Sequence, residues 1–237
     1  MGPRNVFQYI GKTLDRYDLN WIPRYAKSCE LRKLAFVVPT RLEQADRIHQ
    51  KLLDLRGAAV PTDRRTLIPV LLGNLAVDHF SSVILLMRHG CYGSALALVR
   101  VIYEAMMRAY WIYYCAEARD LDSIGTKDSY EFPSMQDMAD LVDQNYFSRS
   151  GLSPFAAIKQ NVWKSLNSFT HSGLRQLRRQ VDEDGIRPSY PDGELDDALR
   201  AAGAFALFAG WLIANITDQD EKAFELVTLM ENQSPRS

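Results

Sequence analysis

Cysteine is scarce in this chain, and its three copies, Cys29, Cys91 and Cys115, are an odd set with no C-x-x-C spacing. That excludes a disulfide framework and a cysteine zinc site, and it fits a reducing cytoplasm. An excess of either charge is missing too: 28 Lys and Arg against 29 Asp and Glu leave a net charge of −1. A protein that coats nucleic acid regardless of sequence needs a broadly basic surface, so that class is excluded, while a local basic patch stays open. No G-x-G-x-x-G, P-loop or G-x-S-x-G element occurs, which removes support for dinucleotide binding, P-loop chemistry and α/β-hydrolase chemistry.

Metal-ligand spacing is also lacking. No E-x-x-H or H-E-x-x-H pattern is present, and Asp78 and His79, being adjacent, point in different directions on a helix, so with His89 and Glu104 they give no expected metal site. We expect no cofactor either. The N-terminal stretch "MGPRNVFQYIGKTLDRY" has no apolar signal core, because Arg4, Lys12, Asp15 and Arg16 interrupt it. The most apolar windows are 94–116, which holds three charges, and 201–216, which is shorter than the roughly 20 residues of a membrane span. Both read as buried helices, and a cytoplasmic protein with no membrane contact is expected.

What the chain does have is helical periodicity almost throughout, and no strict alternation compels a strand. The expected fold class is all-α. A segment at 5–17 is amphipathic, a short helical piece follows near 28–36, and Thr40 caps "RLEQADRIHQKLLDLRG", which Gly57 ends. His49 lies on that charged amphipathic helix and reads as solvated. A long helix runs from about 63 to 89 with a bend at Pro69, and Gly90 or Gly93 breaks it. Ser94 then caps a helix reaching about 118, and the short connection makes the two an antiparallel hairpin.

Beyond the hairpin, residues 120–133 read as a loop and "SMQD" at 134–137 as a capping-box start of a helix to about Tyr146. Ser153 and Pro154 open the next helix, which Gly173 stops, and "LRQLRRQV" resumes briefly. The segment "DEDGIRPSYPDG" reads as an exposed connection, and helices near 194–216 and 218–231 close the fold. The expected organisation is one domain, with N-terminal helices (1–60) packing on a bundle core (61–232) and a frayed tail (233–237).

Two polar constellations stand out against this apolar background. Arg100, Glu104 and Arg108 sit at i, i+4 and i+8 and form one slanting stripe on an otherwise apolar helix, flanked by Leu96, Val99, Tyr103, Met107, Tyr110 and Trp111. A wetted stripe would be an ordinary salt-bridge ladder. A partly desolvated one holds an arginine in a fixed fork geometry suited to phosphate or another oxyanion. The second constellation is "KSLNSFTHSGLRQLRR", where Lys164, Ser168, His171 and Arg175 recur at helical spacing and Asn167 lies one turn before His171. Histidine is the side chain whose ordinary titration permits acid–base work near neutral pH, although a helical histidine serves equally as a structural residue.

Together, "GSALALVRVIYEAMMRAYWI" and "WKSLNSFTHSG" resemble segments of a group of largely uncharacterised bacterial helical proteins. That group is similar to the HEPN superfamily (higher eukaryotes and prokaryotes nucleotide-binding domain). The resemblance spans residues 63–180 and rests on an R-x-x-x-E helix and an N-x-x-x-H helix. It implies a compact HEPN-like bundle, a homodimer, and a metal-independent ribonuclease or an RNA- or nucleotide-binding role in toxin–antitoxin or phage-defence systems.

The family signature carries an arginine beside its histidine, whereas His171 is preceded by Ser165, Leu166 and Asn167, with Lys164 the nearest cation. The expectation is that Arg100, positioned by Glu104, supplies the missing cation from the neighbouring helix. His171 then acts as acid or base, Asn167 orients it, and Arg108, Lys164, Ser168 and Arg175 bind substrate. The alternative is a non-catalytic interaction module with a protein partner, in which the Arg/Glu/His set is structural.

Overall fold

The computed structural model describes residues 37–59, 61–124, 126, 130–147, 154–181, 185–186 and 188–232. Its described elements are α1 (Val37–Leu53), α2 (Arg64–Arg88), α3 (Tyr92–Tyr114), α4 (Ala118–Ile124), α5 (Met135–Val142), a π-helical stretch (Asp143–Phe147), α6 (Pro154–Thr170), α7 (Leu174–Arg178), α8 (Asp192–Ile216) and α9 (Asp220–Asn232). The fold is all-α, as the periodicity predicts. The expected segments at 5–17 and 28–36, Ser153 and the tail 233–237 lie outside the described residues.

The α2–α3 hairpin is the centre of the bundle, and its ends are set by identifiable residues. Asp63 caps α2 by accepting from the Thr66 backbone N–H at 3.1 Å, which satisfies one of the donors a helix start leaves unpaired. At the other end Gly90, at φ 71°, makes the left-handed turn that an L-residue resists. Ser94 does not cap α3, contrary to the expectation from sequence: the helix already begins at Tyr92, and the side chain of Cys91 at its cap position does not bond the helix start but donates to His89 O at 3.8 Å. The helix ends at Tyr114 instead of running to about 118. There Arg65 donates to the carbonyls of Ile112, Tyr113 and Ala116 at 3.3, 3.3 and 2.6 Å, placing a cation on the negative end of the helix.

Helix α8 is the spine against which α1, α2, α3 and α9 pack. Its fully or nearly fully buried run from Ala202 to Ala214 explains its apolar sequence without a membrane. Among the described residues, two helices, Arg64–Arg88 and Asp192–Ile216, are long and apolar enough to cross a bilayer, but 78% of the most apolar window of α8 is buried inside the protein. Close approach of α8 to its neighbours uses glycine: a Cβ on Gly210 would lie 2.2 Å from Leu52 Cδ2, and one on Gly73 would lie 2.8 Å from Ile213.

Several local expectations are corrected by packing. Helix α1 is already helical at Val37, so Thr40 lies inside it. His49 is half-buried edge-on to Phe80, with ring centroids 6.4 Å apart, and burial lowers its tendency to protonate. A short helix at 118–124 takes up the beginning of the stretch 120–133 that reads as loop. Ser134 does cap α5, accepting from the Asp137 N–H at 3.2 Å.

Candidate functional site

The stripe on α3 faces α6, and it is partly desolvated. Arg100 and Glu104 have side chains only 16% and 19% exposed, and Arg108 is 37% exposed. Their neighbours Val99, Ile102, Tyr103, Met106, Met107 and Tyr110 are buried, so the charges form a narrow polar seam on an otherwise apolar stretch.

Within the seam the two arginines are held unequally. Arg100 Nε donates to Glu104 Oε1 at 2.6 Å, a charge-assisted bond, and its guanidinium lies 4.7 Å over the Trp163 ring. Arg108 reaches the other oxygen, Glu104 Oε2, only at 3.8 Å and lies 4.8 Å over Phe132. Stacking on an aromatic face and a carboxylate on the edge together fix a guanidinium plane. Arg100 has both in close form, and Arg108 has a loose version.

The second constellation meets the first at His171. Arg100 Nη1 contacts His171 Nε2 across 71 positions of sequence, and since arginine can only donate, Nε2 is the acceptor of that bond. His171 stands, exposed, just past the last turn of α6. Its position is set by the way that helix ends. The Gly173 N–H donates to Ser168 O at 2.7 Å while Ser172 takes φ 52°, the six-to-one bond and left-handed residue of a Schellman cap. Gly173 itself has an ordinary φ of −72°. It is glycine for space: a Cβ there would lie 2.6 Å from Ser168 Oγ and 2.9 Å from Ser168 Cα.

Helix α6 is fastened at both ends. Thr170 Oγ1 donates to Ala97 O on α3 at 3.3 Å and to Leu166 O at 2.9 Å. At its start, the buried carboxylate of Asp143 accepts the Phe155 and Ala156 N–H groups at 3.2 and 2.9 Å. Desolvation raises the Asp143 carboxyl to about 6, against the lowering effect of those two bonds. Sequence reasoning missed this cap, because a helix cap supplied from 12 residues upstream leaves no local signature.

Of the sequence-predicted residues, Arg100, Glu104, Arg108 and His171 come together. Asn167 does not orient the imidazole: its Oδ1 is buried with no hydrogen-bond partner, and its contact with His171 is through the backbone, His171 N donating to Asn167 O at 3.0 Å. Ser168 serves the helix end, its Oγ accepting from the Arg175 N–H at 3.0 Å. Arg175 enters that turn through its backbone. Lys164 lies on α6 between Trp163 and Ser165.

Sequence reasoning also missed the cleft beside the seam. An open cavity of about 460 Å³ is lined by Arg100, Glu104, Arg108, Trp163, Met135, Met138 and the segment Tyr130–Pro133. The Tyr130 hydroxyl donates to Asp120 Oδ1 at 3.2 Å, and Phe132 meets Trp111 edge-on at 6.1 Å. These contacts pin an irregular segment whose sequence carries no periodicity, and only the fold brings it opposite α3. Among the described residues, no three His, Cys, Asp or Glu side chains are grouped to hold a metal ion.

The fold and seam define an all-α bundle with a cleft lined by two arginines and two glutamates, one of the arginines in contact with His171. The chain belongs to DUF6988, a family of unknown function, whose match spans residues 73–234 and therefore includes every residue of the seam. No curated protein and no solved structure matches it.

Proposed function

We propose that this protein is an HEPN-like, metal-independent endoribonuclease that acts on RNA at the Arg100–Glu104–His171 array. The observation that carries the reading is the bridging position of Arg100, bound by Glu104 on its own helix and in contact with His171 in the turn that ends α6. A cation and an imidazole side by side at an exposed rim suit a phosphodiester. His171 removes the proton from a ribose 2′-hydroxyl, or donates one to the departing 5′-oxygen. The 2′-oxygen forms its bond to phosphorus as the bond to the 5′-oxygen breaks. Arg100 neutralises the charge that builds on the phosphoryl oxygens. The products are a 2′,3′-cyclic phosphate and a 5′-hydroxyl.

A phosphate oxygen entering the seam competes with His171 Nε2 for the Arg100 donor, which frees the ring nitrogen for the proton transfer. The proposal includes a homodimer acting in the cytoplasm in a toxin–antitoxin or phage-defence setting, and the free thiols of Cys91 and Cys115 suit a reducing compartment. The test is incubation of total RNA and tRNA with wild-type protein and His171→Ala in EDTA. Cleavage by the wild type alone, with cyclic-phosphate ends, supports the reading; loss of cleavage on adding EDTA, or equal cleavage by His171→Ala, overturns it.

One observation favours a second reading, a non-catalytic interaction module. Arg100 is engaged on an edge by Glu104, at one terminus by His171 and on its plane by Trp163, a set that satisfies itself without a ligand. In that case His171→Ala lowers the melting temperature sharply and RNA stays intact with either protein.

A further inference from the structure

We infer that Arg108 and the cleft beside it form the docking subsite for a phosphate flanking the scissile one, so that the substrate is single-stranded RNA engaged at two phosphates. The inference rests on the ribonuclease reading for the identity of the scissile phosphate, and on independent observations for the subsite.

Arg108 is short of partners. Its Nε is shielded from solvent and has no hydrogen-bond partner, and its ion pair with Glu104 is 3.8 Å long. Arg100, by contrast, has a 2.6 Å bond to the same carboxylate. Glu104 therefore discriminates between the two cations: it commits to Arg100 and leaves Arg108 available to an incoming acceptor. The Arg108 Nε is shielded, so a phosphate meets the terminal nitrogens of this 37% exposed side chain, and a guanidinium without a close carboxylate takes one more readily than a guanidinium already bonded to one.

The cleft has the dimensions and lining for a nucleotide. Its volume of about 460 Å³ falls within the roughly 300–1,000 Å³ of small-molecule sites. Its walls combine the two guanidiniums and the carboxylates of Glu104 and Glu131 with aromatic and methionine side chains, Trp163, Phe132 and Tyr130 among them. Phe132 covers one plane of Arg108 at 4.8 Å, which holds the guanidinium upright in the cleft and desolvates it. Glu104 stands between the two guanidiniums, with one oxygen toward each, and repels an anion from the space they share, so each arginine meets its own phosphate and successive phosphates of one strand supply the two. Unpaired RNA adapts to such a run, whereas a rigid A-form duplex presents its backbone on a convex face that does not enter a cleft.

The assignment divides labour within the stripe: Arg100 serves the reacting phosphate and His171, and Arg108 holds the strand in register. It is tested by binding, which does not depend on cleavage. A short 2′-deoxy oligonucleotide, which cannot be cleaved through a 2′-oxygen, is titrated into wild-type protein in EDTA at several salt concentrations, alongside Arg108→Gln and Arg108→Lys. We expect the wild type to bind and Arg108→Gln to bind about tenfold more weakly, with a salt slope smaller by about one phosphate contact. Arg108→Lys should keep the salt slope and lose part of the affinity. No binding by the wild type, or an unchanged affinity and salt slope in Arg108→Gln, overturns the subsite. Retained binding with no RNA cleavage overturns the ribonuclease reading and leaves the subsite standing.

Discussion

Arg100 on α3 and His171 in the turn that ends α6 are 71 positions apart in sequence and meet through Nη1 and Nε2, while Glu104 holds the other edge of the guanidinium. The contact makes α3 and α6 parts of one polar array inside an otherwise apolar packing. It also makes Glu104 the residue on which both arginines depend.

Glu104→Gln should separate the site from the scaffold. The amide keeps the shape but leaves Arg100 and Arg108 without a counter-charge, so RNA cleavage should fall by about 10- to 100-fold, while stability falls by about 1–2 kcal/mol for a half-buried ion pair. Single-turnover cleavage and urea denaturation of the same preparation read the two effects. A full loss of stability with cleavage per folded molecule unchanged would assign Glu104 a structural role only.

Gly173→Ala tests the ending of α6. The backbone angle there suits alanine, but the added methyl would meet Ser168 Cα at 2.9 Å and Ser168 O at 3.0 Å. Displacing this turn should cost about 1–3 kcal/mol and move His171 away from Arg100, lowering cleavage along with stability. A thermal melt with no shift would show that the turn gives way freely.

Ser172→Gly should have the opposite sign. Ser172 occupies φ 52°, and glycine adopts that conformation without the steric cost, so the variant should gain about 1 kcal/mol in denaturant unfolding. Because the hydroxyl takes no part in the seam, cleavage by the variant should equal that of the wild type.

Asp143 should make stability pH-dependent. Its carboxyl is raised from 3.8 to about 6 by burial, so the folded state binds its proton more tightly than the unfolded chain. The contribution of Asp143 to stability is therefore greatest at low pH, declines as pH rises from about 4 to 6, and is constant above that, a change on the order of 3 kcal/mol. Asp143→Asn carries no such proton, and the difference between the two unfolding free energies, measured at pH 5 and 7.5, should shift in favour of the variant at the higher pH. An equal difference at both values would mean that Asp143 is ionised throughout.

Helix positions along the central hairpin were legible in sequence because apolar periodicity, Asp63 and Gly90 act within a few residues of where they matter. The stripe of Arg100, Glu104 and Arg108 was legible for the same reason: three positions four apart share a face whatever the rest of the chain does. The α4 helix and the start of α3 were misread because their ends carry no strong capping residue, and packing set them.

Sequence alone determined that the chain is all-α, that α3 and α8 are buried, and that α3 carries one polar seam, since helical spacing dictates which side chains share a surface. Tertiary structure decided which surfaces meet. It placed His171 against Arg100 and not against Asn167, brought Asp143 to the start of α6, and set Tyr130–Pro133 across from Arg108 to make the cleft. Each of these relations joins residues through space that no repeat along the chain encodes, because periodicity fixes a face and only packing chooses its partner.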